Sequence, residues 1–563
     1  MDQLQLSPPS DPVEIPWERS QVRVPREDGG LLAIPNLCDA PEAAVRNREH
    51  RAYNGCQILG VPLKQFRQHA CDESLVAAER YTSRILGRDC GLSPAGPLIA
   101  TGHQPDLFHP GVWVKQYAAS ELARRCNGVG LNLIVDSDMM RSHRIRVPVG
   151  TRNRPGAEWL PFDAQQAVGP WQDARIVHSS TFESFGSRVT QAMSRWDVTP
   201  VIAELWPHAV AHSRVDSGLA ECLSAARIQT EWNWGEGNLE LPLSGLCTTD
   251  SFLWFAVALL DRADEFRETY NDALNQYRAI NRIRSESHPV PELAHTDGWT
   301  EAPFMVWQSG DIRRSHVFVR RSGTELLLAS GPEEAAIFGR LPLGPDGDAS
   351  DAVSALRDVQ SSGYRFRTRA LTTTLFTRLC LSDLFVHGIG GAKYDEITDR
   401  IIKRFYGIDP PEFLTLSATA WLPLAKPFSE TADDVRRIRG MLRELQHNPQ
   451  RFLPSKRSES VNSLVDEKQR LIAVQQSSDQ TRHADGPAFS HSGIGRYRRF
   501  PEINRELTKQ LSKLQQRLIG ELADVEQRLL ANTILTGREW SFCLYPADRM
   551  HRMIADLHAA FDA

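Results

Sequence analysis

The chain lacks the features that assign a class at a glance. Its longest apolar run, Phe252 to Leu260, is about half of the ~20 residues a bilayer span needs, so no membrane segment is expected. The nine cysteines are scattered, with no C-x-x-C pair and no close framework, which argues against a disulfide scaffold or a cysteine metal ribbon and fits reduced thiols. A formal charge of -5 offers no cationic excess to neutralise phosphates along a duplex, so nucleic acid is not an expected partner. Met1 to Trp17 is polar, acidic and proline-rich and has neither the basic nor the apolar region of a signal peptide. A cytoplasmic protein with no membrane partner is expected.

What is present is an ordinary globular composition, 41% hydrophobic and 24% charged over 563 residues, enough for a large core arranged as about two to four domains or as one core with insertions. Seven prolines between Pro8 and Pro41 predict an irregular arm over 1–45. Residues 46–300 are read as a core with insertions, helical from Arg46 to Leu86, with an excursion over 145–175. Helices are expected over Ser184–Trp196 and His208–Ala226, followed by a buried helix from Asp250 to about Ile283. Ala302–Trp307, His316–Arg321 and Glu325–Ala329 alternate polar and apolar residues between Gly-containing turns, predicting a meander inserted over 301–345. The core resumes over 352–427, where Arg367–Phe385 reads as a helix ending at His387 and a further helix spans Tyr394–Tyr406. Over 428–535 the chain turns strongly helical, and Ile503, Leu507, Leu511, Leu514, Leu518, Leu522, Val525 and Leu529 recur at intervals of three and four, the seam of a coiled coil. A flexible loop is expected over 476–495, and an apolar docking tail over 536–563.

Pro97 to Gly111 carries the most chemistry. A short apolar run opens into Thr101-Gly102-His103-Gln104-Pro105-Asp106-Leu107-Phe108-His109 and then enters a helix over Val112–Arg125; Gly130–Asp136 follows as a second strand. Strand, polar loop, helix and strand make a βαβ unit, and ligands of such units sit beyond the carboxyl ends of the strands. Thr101, Gly102, Gln104 and His109 are therefore candidate substrate contacts. Lys115, in the first turn of the predicted helix, and the free N–H groups of that helix suit a phosphate or carboxylate. His103 suits a proton donor or an electrostatic stabiliser. After the second strand, Asp136, Asp138 and His143 can hold a divalent cation or orient a ribose or an amine, while acids in such loops also cap helices. The glycines of His387-Gly388-Ile389-Gly390-Gly391-Ala392-Lys393-Tyr394-Asp395-Glu396 let backbone approach a ligand, with His387, Gly388, Gly390, Gly391, Lys393 and Glu396 as candidate substrate contacts. Their spacing is not that of a phosphate-binding loop ending in Gly-Lys-Ser/Thr. The arginine clusters Arg313, Arg314, Arg320 and Arg321, and Arg365, Arg367 and Arg369, read as solvated faces.

Three of these features, in this order, resemble the BshC family, enzymes that add cysteine in bacillithiol biosynthesis. Thr101 to Phe108 is similar to that family's T-G-Q-Q-x-x-L-F strand-end motif, with Lys115 close to the family's helical lysine. His387 to Glu396 is similar to its G-G-x-x-E loop, and the heptad helix with its docking tail follows the same plan. The chain departs from the family where Asp136-Ser-Asp-Met-Met-Arg-Ser-His143 stands in place of an E-D-H-D-like cluster, and where His103-Gln104 stands for Gln-Gln. The resemblance implies an α/β fold with a Rossmann-like parallel-sheet core, inserted connecting regions and a C-terminal helical coiled coil that forms a homodimer. It also implies a ligase that joins an amino acid to the amine of a small amino-sugar-type acceptor, with His103 and Lys115 stabilising the oxyanion and Asp136 or Asp138 orienting the amine. The sequence does not fix a cofactor; an adenine nucleotide is a candidate and no metal is indicated. Two alternatives are a nucleotidylyltransferase-like enzyme, with Thr101–Gln104 in the place of its histidine motif, and a non-catalytic coiled-coil scaffold or ligand sensor.

Overall fold

Val129-Gly-Leu-Asn-Leu-Ile134 carries a single polar side chain, Asn132, and no charge on either face, and a strand of that kind is stable only inside a sheet covered on both sides. The computed structural model describes residues 22–50, 53, 55–91, 95–165, 168–343, 349–482 and 491–563, with side chains outside 475–498. In it this segment is an inner strand. The sheet contains β1 (Leu31–Ile34), β2 (Leu98–His103), β3 (Val129–Ile134), β4 (Leu239–Pro242), β5 (Leu384–His387) and β6 (Phe413–Ala418), in the order β1-β6-β5-β2-β3-β4. All neighbours are parallel except β1, which runs antiparallel along β6 with Leu31 opposite Ala418. The class is mixed α/β.

Helices cover both faces. Leu131 and Leu133 point into a large apolar cluster shared with Leu63 and Phe66 of α1 (Leu63–Leu86) and Phe252 and Phe255 of α4 (Asp250–Asp261), as well as Ile397 and Ile401 of α5 (Ile389–Ile401). Gly130 faces the other way, so close to α2 (Pro110–Arg125) that a Cβ there would lie 3.3 Å from the Ala119 carbonyl oxygen. On that side Arg227 of α3 (Leu219–Asn233) is buried between Glu231 and Glu240, with Nη–Oε distances of 2.7 Å to each. The tail docks here too. Phe542 packs at 4.2 Å on Trp113 of α2, and Arg125 pairs at 2.6 Å with Asp562, just beyond α10 (Ala547–Ala560).

The predicted meander forms as Trp299–Gln308, Ser315–Ser322 and Glu325–Ala329, within a larger antiparallel sheet that also takes in His295–Thr296, Ile337–Pro342 and Tyr364–Thr368. Its apolar face, including Phe304, Val306, Val317, Leu328 and Phe366, packs into the same cluster as the parallel sheet.

Several expectations are corrected. The arm predicted over 1–45 holds β1 and a helix from Ala40 to Arg48, and 145–175 begins with a hairpin of Arg144–Thr151 and Arg154–Pro161. The helix expected over Arg367–Phe385 is instead the end of a strand, a helical stretch from Ala370 to Leu381, and β5. The helix ends where Asp383 becomes a tie point: its carboxylate accepts the Leu98 N–H at 2.9 Å and an Arg67 Nη at 2.9 Å.

A second unit comprises residues 148–157 and 423–537. It contains α6 (Ala432–His447), α7 (Glu459–Arg482), α8 (His491–Lys509) and α9 (Ser512–Leu535). A capping box in which Thr431 and Asp434 exchange hydrogen bonds starts α6. The heptad run is not one helix, because it breaks at Gln510–Leu511. Leu511, Leu518 and Val525 are buried with Ile438 and Leu445 of α6, and Ile503 and Leu507 with Val461 and Val465 of α7. Of the loop expected over 476–495, residues 483–490 lie outside the described residues; α7 extends to Arg482 and α8 begins at His491. Among the described residues no helix is long and apolar enough to cross a membrane.

Candidate active site

Strand order explains where the cavity lies. From β2 the chain continues to β3 and β4 toward one edge, whereas β5, on the other flank of β2, leads to β6 and the opposite edge. The loops after β2 and β5 therefore diverge, and a crevice opens between them at the carboxyl ends of the strands, where ligands of open α/β sheets bind. A cavity of ≈ 730 Å³ occupies this place; its lining includes Gly102, His103, Gln104, His109 and Lys115, then Ser137 and Asp138, then His387, Gly388, Gly390 and Gly391. All three sequence-predicted constellations contribute to it.

On the β2 side, His109 is the N-cap of α2 and Pro110 its first residue. Gly111 is required there, since a Cβ would sit 2.3 Å from the Ala418 carbonyl oxygen. Because α2 begins at Pro110, Lys115 lies in its second turn rather than its first, and its Nζ donates to the Gly102 carbonyl at 2.8 Å. Burial lowers its pKa to about 8. His103 is pushed down to about 3, mainly by burial and then by the Lys115 charge, and His109 to about 4 by burial together with Arg538 and Lys115. Both imidazoles are thus neutral at physiological pH. His103 can stabilise charge through hydrogen bonding, but it does not carry a proton to donate as an imidazolium. Thr101 is fully buried and donates to the Val386 carbonyl at 2.9 Å, tying β2 to β5, so it supports the site without lining it.

The acids after β3 separate into two roles. Asp138 lines the cavity; its Oδ2 accepts from Gln104 Nε2 at 2.9 Å, its Oδ1 from the Met139 N–H at 2.8 Å, and Arg314 Nη2 lies at 3.5 Å. Asp136 turns away from it. The Asp136 carboxylate takes the Ser244 N–H at 2.9 Å and the Ser244 hydroxyl, capping the turn at Leu243–Leu246, and burial raises its pKa. His143 precedes the Arg144–Pro161 hairpin, its carbonyl accepts the Phe162 N–H at 2.8 Å, and it does not line the cavity.

On the β5 side, the glycines expected in a loop are the N-cap and first turn of α5. His387 Nε2 lies 2.8 Å from Asp395 Oδ2, and Arg378 bonds Asp395 and Asp399 at 2.6 Å each. A Cβ at Gly391 would fall 2.9 Å from His387 Nδ1. Lys393 and Glu396 face a separate pocket of ≈ 200 Å³ with Pro35 and Phe413.

Four ionisable cavity residues were not among the expected site residues: Arg314, just before the strand Ser315–Ser322, His316 within it, Arg369 just beyond the strand Tyr364–Thr368, and Arg538 near the start of the tail. His316 Nδ1 lies 2.8 Å from Glu301 Oε1, and Arg369 donates to the same oxygen at 2.6 Å. The arginine clusters were visible, but no spacing rule separates an arginine turned into a cavity from a solvated one.

The cavity can hold a small anionic molecule. Lys115, Arg314, Arg369 and Arg538 line it with Asp138, and α2 and α5 both begin at its wall, where helix N-termini favour an anion. Among the described residues no group of three His, Cys, Asp or Glu side chains is placed to hold a metal ion. No protein-family model matches the chain, and comparison with curated proteins finds no significant relative.

Proposed function

We propose that the chain is a carbon–nitrogen ligase acting in the manner of the BshC family, with a Rossmann-like core that joins an activated carboxylate to the amine of a small, anionic, amino-sugar-type acceptor. The observation that carries this reading is that one cavity gathers Lys115, His103, Asp138 and His387 with the beginnings of α2 and α5. Lys115 and the helix N–H groups stabilise the tetrahedral oxyanion, where preorganised donors have most effect. Asp138, oriented by Gln104 and Arg314, accepts a hydrogen bond from the amine. Arg314, Arg369 and Arg538 meet the acceptor's anionic groups. An open cavity with convergent polar groups supports an enzyme over a scaffold.

We also infer a homodimer formed by coiled-coil pairing of the helical unit. It is supported by Ile519 and Leu530 of α9, which are 52% and 70% exposed and three helical turns apart on one face.

A thermal-shift panel of ATP, ADP, AMP, cysteine, glucosaminyl-malate and divalent cations tests the ligase, read on the wild type, His103→Ala and Lys115→Ala. Cysteine or the amino sugar should stabilise the wild type and lose that effect in both variants. Stabilisation by neither, or equal stabilisation of all three proteins, would overturn the assignment.

A further inference from the structure

We propose that His387 and Asp395 form a general-base dyad, in which Asp395 holds the Nε2–H of His387 and leaves the Nδ1 lone pair at the cavity wall to take the proton from the attacking amine. This rests on the ligase reading above and gives it the base that reading leaves unnamed.

The geometry carries the assignment. His387 ends β5 at the cavity, and its Nε2 lies 2.8 Å from Asp395 Oδ2, at ion-pair distance though out of line for a hydrogen bond. An ionised carboxylate beside Nε2 favours the tautomer with the proton on Nε2, which leaves Nδ1 unprotonated. Asp395 remains ionised because Arg378, 1% exposed, donates to it at 2.6 Å; burial opposes the charge, but Arg378 and His387 outweigh it and hold the carboxyl well below its usual range. The ring is packed by Phe385 at 4.3 Å and Phe413 at 5.1 Å, which fixes its orientation. Nδ1 lies beside Gly391, itself a wall residue, where any side chain would crowd it.

The charged groups around His387 come from three elements: Asp395 on α5, Arg378 in the Thr377–Leu381 turn, and Lys115 on α2. Burial, Arg378 and Lys115 keep the imidazole neutral, whereas Asp395 stabilises the imidazolium once it forms. When the amine nitrogen adds to the acyl carbon, it carries one proton too many. That proton passes to Nδ1 and the N–H electron pair stays on nitrogen; the tetrahedral oxyanion then re-forms the carbonyl and breaks the bond between the acyl carbon and the oxygen of the activating phosphate or AMP group, which leaves with that electron pair, and the new positive charge on His387 is balanced by Asp395. His387 is the catalytic residue and Asp395 the positioning residue.

The test uses the full-length protein labelled with ¹⁵N-histidine, with the His387 resonances identified by their loss in His387→Gln. Long-range ¹H–¹⁵N spectra at pH 7.5 should show His387 as the Nε2–H tautomer, and Asp395→Asn should shift it toward Nδ1–H. An Nδ1–H tautomer in the wild type overturns the dyad. In a condensation assay with ATP, cysteine and glucosaminyl-malate, His387→Gln and Gly391→Ala should lower kcat at least tenfold with KM within about threefold, and Asp395→Asn should move the acidic limb of the pH profile to lower pH. Gly391→Ala perturbs His387 while removing no charge from the Arg378–Asp395 pair, and it stands in if Asp395→Asn fails to fold. Turnover unchanged in His387→Gln refutes the dyad while the ligase survives. Absence of turnover in the wild type refutes the ligase, and the tautomer then decides the dyad.

Discussion

Replacing Lys115 with methionine removes a charge that the fold holds at a loss. The ammonium is 5% exposed, bonded to one carbonyl oxygen, and lowered by burial from 10.5 to about 8. Each tenfold change in proton affinity corresponds to about 1.4 kcal/mol, so keeping Lys115 protonated in the folded state costs about 3 kcal/mol. The sign follows from which state holds the proton. Below pH 8 both states are protonated and the cost is present in full. Between pH 8 and 10.5 the folded protein has released the proton while the unfolded chain retains it, so wild-type stability rises with pH and the cost has gone above 10.5. Lys115→Met has no such dependence. Relative to the variant, the wild type should therefore gain about 3 kcal/mol between pH 7.5 and 10.5, and the comparison cancels the tyrosines and lysines common to both. Urea unfolding followed by tryptophan fluorescence suits the measurement, because the twelve tryptophans among the described residues all fall within the first unit. Parallel stability curves for the two proteins would refute the reasoning. The expected curve marks Lys115 as a residue kept at the expense of stability, which is the pattern of a functional group.

Asp136→Ala should destabilise the first unit by about 1–3 kcal/mol, since it removes the partner of the half-buried Ser244 N–H and hydroxyl, while leaving ligand-induced thermal shifts unchanged; loss of those shifts without loss of stability would return Asp136 to the site. Light scattering should give twice the chain mass for the wild type and a single chain mass for Ile519→Glu/Leu530→Glu, and a monomeric wild type would remove the homodimer.

The β2 loop was legible because a polar segment after a short apolar run and before an amphipathic helix has few structural explanations. The β5 side was misread for a physical reason. Leu384–His387 is buried on both faces, and such a strand shows no period that separates it from the end of a buried helix. What makes it a strand is β2 beside it, with Val386 opposite Thr101, and Asp383 tying the chain to Leu98. The heptad run was legible as an apolar stripe, but its partners were not, because α6 and α7 of the same chain bury it as readily as a second copy would.

Local chemistry in the chain was enough to specify the α/β class, the β2–α2–β3 unit, the three strands of the meander and the polar groups of the β2 loop, since periodicity and turn residues act over a few neighbours. The division between Asp136 as a cap and Asp138 as a cavity residue, the pairing of His387 with Asp395, and the arrival of Arg314, Arg369 and Arg538 at one wall depend on contacts between residues far apart in sequence. Nothing in a single segment encodes which distant carboxylate or carbonyl its side chains will meet, because those partners exist only once the two sheets have packed around their shared core.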